Sequence, residues 1–148
     1  MHLSNDCKEF IALLRSEGVD FLVVGAAALA AHGRPRYTGD IDLWIRCDAG
    51  TAKKMESVLA RFGFQSTGLQ ASDFAEPDRV VQLGVAPNRV DILTGLTGLD
   101  FDAAWKRRVD LPLDNQTLPF LDKESLCANK RATARPQDLA DLEALEDC

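Results

Sequence analysis

What this sequence lacks narrows its identity quickly. Nowhere in its 148 residues is there an apolar run of membrane-spanning length, which takes about 18 residues. The longest candidate, residues 21–31, is short and broken by Gly25. The opening Met1-His2-Leu3-Ser4-Asn5-Asp6 has neither the basic start nor the apolar core of a secretion signal, so a cytoplasmic protein is expected. Cysteine is sparse: Cys7, Cys47, Cys127 and Cys148 form no Cys-x-x-Cys pair and read as scattered reduced thiols, not as a zinc site or a disulfide frame. Positive charge is in deficit, 17 Lys and Arg against 23 Asp and Glu, which argues against a protein that coats nucleic acid non-specifically. The basic residues are clustered, however, at Arg34 and Arg36, at Lys106-Arg107-Arg108, and at Lys130-Arg131 with Arg135. No Ser-His-Asp or Cys-His set offers a nucleophile. Repeats and low-complexity linkers are absent too, so residues 1–148 are expected to form one domain around one core.

What is present alternates helical and strand patterns. Cys7, Phe10, Ile11 and Leu14 recur at helical spacing before Gly18. Residues 19–24 form an apolar run of strand length, followed by an alanine-rich helix over 26–31 and a turn at Gly33-Arg34-Pro35. A second strand is expected over 40–46. Met55, Val58, Leu59 and Phe62 mark a helix stopped by Gly63. Residues 65–78 read as loop with room for one short strand. Residues 79–85 and 89–93 read as a hairpin, and 101–109 as a helix. Two extended pieces around 111–113 and 117–121 flank an Asp114-Asn115 turn. The chain then continues as helices from Asp122, a reasonable N-cap, to about 131, and from Pro136 to 145. The pattern is that of an α+β protein: a mixed β-sheet with helices packed on it and helices at the C-terminus.

The chemistry lies in Asp40-Ile41-Asp42-Leu43-Trp44-Ile45. Alternate strand residues share a face, so Ile41, Leu43 and Ile45 point one way and Asp40 and Asp42 the other, about 6–7 Å apart. Two such carboxylates repel unless a cation lies between them, and magnesium prefers carboxylate oxygens together with substrate phosphates. By itself the pair is a weak signal and better fits a strand end facing water. Arg89-Val90-Asp91-Ile92-Leu93 repeats the layout, and a neighbouring strand would bring Asp91 to the pair. Such a three-carboxylate nest can hold two metals about 3.5–4 Å apart. Asp91 could instead cap its strand or pair with Arg89. Upstream, Gly25-Ala26 ends a strand and starts a helix, where backbone N–H groups attract phosphate, although small residues there also serve tight packing.

Taken in order, these pieces resemble the polymerase-β-like nucleotidyltransferases. Within them the sequence is most similar to small prokaryotic proteins related to the nucleotidyltransferases of abortive-infection and toxin–antitoxin systems. The matching residues are Gly25 and Ala26, His32 and Gly33, Arg36 and Thr38, Asp40 and Asp42, and Asp91. The tail adds Asn129-Lys130-Arg131-Ala132 and Arg135-Pro136-Gln137-Asp138-Leu139-Ala140-Asp141-Leu142. The resemblance implies the nucleotidyltransferase fold and a metal-dependent transfer of a nucleotidyl group from a nucleoside triphosphate to an acceptor hydroxyl. Asp40, Asp42 and Asp91 would bind magnesium, or manganese in its place, and carry catalysis. Gly25, Ala26, Arg36, Thr38 and Lys130 would bind the nucleotide. The acceptor, whether RNA, protein or small molecule, is not encoded in any motif, and the alternative is a non-catalytic nucleotidyltransferase-fold module that binds a partner protein in a two-protein toxin–antitoxin system. Ala26 departs from the pattern, which has Gly or Ser there; alanine brings no hydroxyl to the phosphates and leaves the backbone N–H groups. Arg36 could contact phosphate or pair with Asp40. Arg135 is expected to pair with Asp138, and His32 to hydrogen-bond near its turn.

Overall fold

The computed structural model describes residues 3–33, 40–63, 69–84 and 89–145. Helix α1 (Asn5–Ser16) is capped by Ser4, whose Oγ accepts the Cys7 N–H, and buries Cys7, Phe10, Ile11 and Leu14 on one stripe. Strand β1 (Phe21–Val24) is buried along its whole length and runs directly into α2 (Gly25–Ala31). Strand β2 (Ile41–Ile45) is followed by α3 (Ala49–Phe62), whose ends are set by the Asp48 side chain at Thr51 N–H and by Gly63 at φ 96°.

A 3₁₀ turn (Ala71–Phe74) then lies in the segment read as mostly loop. Its one buried residue, Phe74, is fully enclosed, and the Glu56 carboxylate of α3 accepts the Ala71 N–H at 3.1 Å. Strands β3 (Val80–Leu83) and β4 (Val90–Leu93) pair antiparallel, as the hairpin reading requires; their connection over 85–88 lies outside the described residues. Helix α4 is shorter than expected, Phe101–Lys106, because Val109 begins strand β5 (Val109–Leu113), which pairs with β6 (Gln116–Phe120). Between them Asp114 and Asn115 both take positive φ, the tight turn their residue types favour. Helices α5 (Lys123–Thr133) and α6 (Pro136–Leu145) complete the described chain, with Asp122 capping α5 through Ser125 N–H.

The six strands form one mixed sheet in the order β3-β4-β2-β1-β6-β5. β1 runs antiparallel to β2 and parallel to β6, and β2 runs parallel to β4. One face carries the row Val23–Leu43–Ile92, all three fully buried in the main core. The opposite face carries Val24–Asp42–Asp91–Gln82 and, one row further along, Leu22–Trp44–Leu93–Val80. That face is not open throughout. Trp44 is buried there and meets Phe101 of α4 edge to face, with ring centroids 5.1 Å apart.

Among the described residues no helix is long and apolar enough to cross a membrane. Cys7 and Cys47 are free thiols, whereas Cys127 is disulfide-bonded. This corrects the reading of all four cysteines as reduced, and the cysteines therefore no longer point to a reducing compartment.

Candidate functional site

The site grows out of the register of three adjacent strands. Val24 at the end of β1 lies opposite Asp42 of β2, and Asp42 lies opposite Asp91 of β4. Because β2 and β4 are parallel neighbours in register, both carboxylates leave the same face at the same height. Asp40 stands one residue before β2, and the Ile41 N–H is bonded to the Arg89 carbonyl, which brings the two strand entrances together. Asp91 is buried, Asp42 half-buried, and the Asp40 side chain mostly covered.

Gly25 closes this group from the β1 side. Its φ is +67°, and a Cβ added there would lie 3.0 Å from Cγ of Asp42 and closer still to Oδ2. The position has room for the Asp42 carboxylate because it has no side chain.

Packing these acids together has an electrostatic consequence. Burial, then the charge of Asp91 and a hydrogen bond with it, and then the charge of Asp40, lift the Asp42 carboxyl from its ordinary 3.8 to about 6. The Arg89 guanidinium opposes that shift. Arg89 stands two residues before Asp91 on the same face. Its Nη2 lies 3.1 Å from Asp40 Oδ2 and donates to Asp91 Oδ2 at 3.2 Å. Its Nε faces Asp91 Oδ1 at 3.1 Å, an ion pair in which neither buried atom has a hydrogen bond.

A divalent cation suits this donor set: three carboxylates, one carrying a proton affinity raised by its neighbours, and one with a buried oxygen lacking a hydrogen-bond donor. In the arrangement seen, however, no three acidic, histidine or cysteine groups among the described residues converge closely enough to hold a metal. The Arg89 guanidinium occupies the approach shared by Asp40 and Asp91.

Lys130 sits across a cleft of about 280 Å³ lined also by Gly25, Ala26, Leu29, Gln137 and Asp141. Its ammonium lies 3.1 Å from Asp141 Oδ2 and 3.4 Å from Asp138 Oδ1. Both aspartates are buried, and Gln137 donates to Asp141 Oδ1 at 2.9 Å. Arg135 Nε donates to Asp138 Oδ2 at 2.7 Å, the expected pair, and Thr133 Oγ1 donates to the same oxygen. The Arg135 bond, opposed by burial and reinforced by Thr133, holds the Asp138 carboxyl well below the usual carboxylate range. His32 is held through Nε2 at 2.8 Å from the Leu121 carbonyl, a structural contact.

The structure thus groups Asp40, Asp42 and Asp91 beside Gly25, and sets Lys130 with Gly25 and Ala26 in the adjoining cleft. Arg36 and Thr38 lie outside the described residues. Two participants escape a reading of the sequence alone. The bridging role of Arg89 was detectable only in part, from its i, i+2 spacing to Asp91. The burial of Asp141 was hidden because an aspartate on a helix reads as exposed, and what covers it is set by tertiary packing.

No protein-family model matches the sequence, and no curated protein is significantly similar to it. Solved structures do match. The antibiotic-resistance factor ANT(2'')-Ia superimposes with a TM-score of 0.58 at 11% identity, over 95% of this chain and 80% of its own. The lincosamide antibiotic adenylyltransferase LnuA, bound to lincomycin, gives 0.57 at 12% identity over 99% of both chains. An antigenic nucleotidyltransferase-like protein from Paracoccidioides brasiliensis gives 0.52 at 17% identity, over 98% of this chain and 78% of its own. At such identities the likeness speaks for architecture alone, and by architecture this chain has the nucleotidyltransferase fold.

Proposed function

We propose that the protein transfers a nucleotidyl group from a nucleoside triphosphate to an acceptor hydroxyl, with magnesium, or manganese in its place, held by Asp40, Asp42 and Asp91. The observation that carries this reading is the alignment of Asp42 with Asp91 beside a side-chain-free Gly25, with Lys130 facing the adjoining cleft. When bound, the cation supplies charge neutralisation at the phosphates and acidifies the acceptor hydroxyl. Asp40 and Asp42 would hold it, and Asp91 would share in holding it while helping to orient that hydroxyl. The acceptor hydroxyl gives up its proton to solvent or to the Asp91 carboxylate, its oxygen bonds to the α-phosphorus, the bond from that phosphorus to the oxygen bridging to the β-phosphate breaks, and pyrophosphate leaves. Lys130 offsets the charge on that leaving group, and the N–H groups of Gly25 and Ala26 support the phosphates from the start of α2.

Along the same face, one row past Asp91, Leu93 and Val80 floor a second cleft of about 830 Å³ walled by Thr97, Asn129 and Arg135. It is the space into which an acceptor would fit. On its sequence resemblance we assign the protein to a toxin–antitoxin or phage-defence system, in which the acceptor could be RNA, protein or a small molecule.

Titration calorimetry tests the reading: each of the four triphosphates, with magnesium and with EDTA, against the wild type and Asp42→Asn. Magnesium-dependent binding that the variant loses supports it, and α-phosphate-labelled triphosphate then identifies the acceptor. A folded protein that binds no triphosphate would end the catalytic reading and leave a nucleotidyltransferase-fold module acting through a partner protein.

A further inference from the structure

The unusual member of the site is Arg89. It stands at the entrance to β4, two residues before Asp91 and on the same face, and its guanidinium reaches both Asp91 on β4 and Asp40 at the entrance to the parallel strand β2. These contacts take up carboxylate oxygens of Asp40 and Asp91 that would otherwise be available to a cation. The side chain is one-third exposed, so it can leave without unpacking the core, whereas Asp91 is almost wholly covered and cannot. Near Asp91 Oδ1 the fit is imperfect: guanidinium and carboxylate are close, yet neither buried atom gains a hydrogen bond. A guanidinium is a planar fork suited to carboxylate or phosphate. It therefore has an alternative partner in the triphosphate that this site would receive.

We propose that Arg89 is an internal counter-cation that competes with bare divalent metal for Asp40 and Asp91, and so makes the site selective for metal that arrives with a triphosphate. The proposal rests on the reading of the carboxylates as a metal site. A bare ion must displace Arg89 and leave its charge without a partner. A metal–triphosphate complex exchanges pairs instead: the carboxylates turn to the cation, and the guanidinium turns to the phosphates. Arg89 is thus a specificity residue of the nucleotide site and needs no part in bond making.

The test uses the full chain and two probes, Mn2+ alone and Mn2+ with inorganic tripolyphosphate, followed by calorimetry and by electron paramagnetic resonance of the manganese. Arg89→Gln should bind Mn2+ alone about tenfold tighter than the wild type. Its preference for the tripolyphosphate complex over the bare ion should shrink. Arg89→Lys keeps the charge without the fork and should fall between the two, and it serves where the glutamine variant folds poorly. Adding Asp42→Asn to Arg89→Gln should abolish the gain, which ties it to this site. Unchanged or weaker binding of bare Mn2+ by a folded Arg89 variant, while the wild type binds it, overturns the proposal and leaves the metal site standing. Silence from wild type and variants alike, all folded, overturns both.

Discussion

Gly25 faces Asp42 across the β1–β2 boundary with no room for even a methyl group between them. The glycine is doubly constrained, by φ +67° and by the carboxylate against it. Gly25→Ala is therefore expected to cost about 1–2 kcal/mol from the backbone conformation alone, and more where the Asp42 carboxylate is pushed aside. Denaturant unfolding measures the loss, and the same variant should bind magnesium and triphosphate weakly even at temperatures where it is fully folded. A Gly25→Ala protein with wild-type stability would show that α2 starts differently in solution.

The crowding of Asp42 makes a second prediction, about pH in metal-free protein. The unfolded carboxyl ionises near 3.8, and the folded one near 6. Between those values the folded state keeps a proton that the unfolded chain releases, so stability falls as pH rises from about 4 to about 6 and stays lower above. Asparagine does not titrate. The stability gap between Asp42→Asn and wild type should therefore open in favour of the variant across that window, by on the order of 2 kcal/mol. Urea unfolding in EDTA at pH 4 and pH 7.5 measures it; a gap independent of pH would mean that Asp42 ionises normally in the fold. The variant expected to lose metal-dependent triphosphate binding should thus gain stability relative to the wild type as pH rises from about 4 to neutral.

Much of this site was legible because strand periodicity is local and strict. Two strands each carrying Asp among alternating Ile, Leu and Val could bury one face only by presenting their aspartates on the other, and a parallel pairing then aligned Asp42 with Asp91. The caps at Asp122 and Gly63 were equally local. What stayed hidden depends on distant partners. Val109 has a helical neighbourhood, but pairing with Phe120 draws it into β5 and ends α4 early. Trp44 shares a face with Asp42 and was not singled out as core, because its cover, Phe101, lies far along the chain. Arg89 as a bridge between Asp91 and Asp40 needed the β2–β4 register, which a single strand does not contain.

At the other end of the cleft, Asp138 contributes in the opposite sense to Asp42. Arg135, with help from Thr133, holds its carboxyl below the normal range, so its stabilisation is present above the unfolded value near 3.8 and disappears as pH falls through the folded one. Asp138→Asn should destabilise the protein at pH 7 by about 2 kcal/mol, as expected for losing charge-assisted hydrogen bonds to a buried carboxylate whose main partner, Arg135, is exposed. The deficit should narrow steadily below pH 4, where the wild-type carboxylate also gains its proton. Thermal unfolding from pH 7 down to pH 3 follows it, and a deficit that stayed constant would place the effect in packing and not in charge.

Lys130 stands at the junction of these two halves, and its role can be separated from its support. Lys130→Met removes the ammonium 3.1 Å from the fully buried Asp141, so the variant should lose about 3 kcal/mol of stability. It should also bind triphosphate at least about tenfold more weakly. Either effect alone could follow from a damaged fold. Adding Asp141→Asn removes the carboxylate charge that Lys130 faced while keeping an oxygen for the Gln137 amide, so the double variant should recover part of the lost stability. Triphosphate affinity should not return with it, because the cation that would meet the phosphates is still missing. Measured side by side by denaturation and calorimetry, recovery of both quantities would make Lys130 a structural counterion. Recovery of stability alone would make it a ligand of the nucleotide.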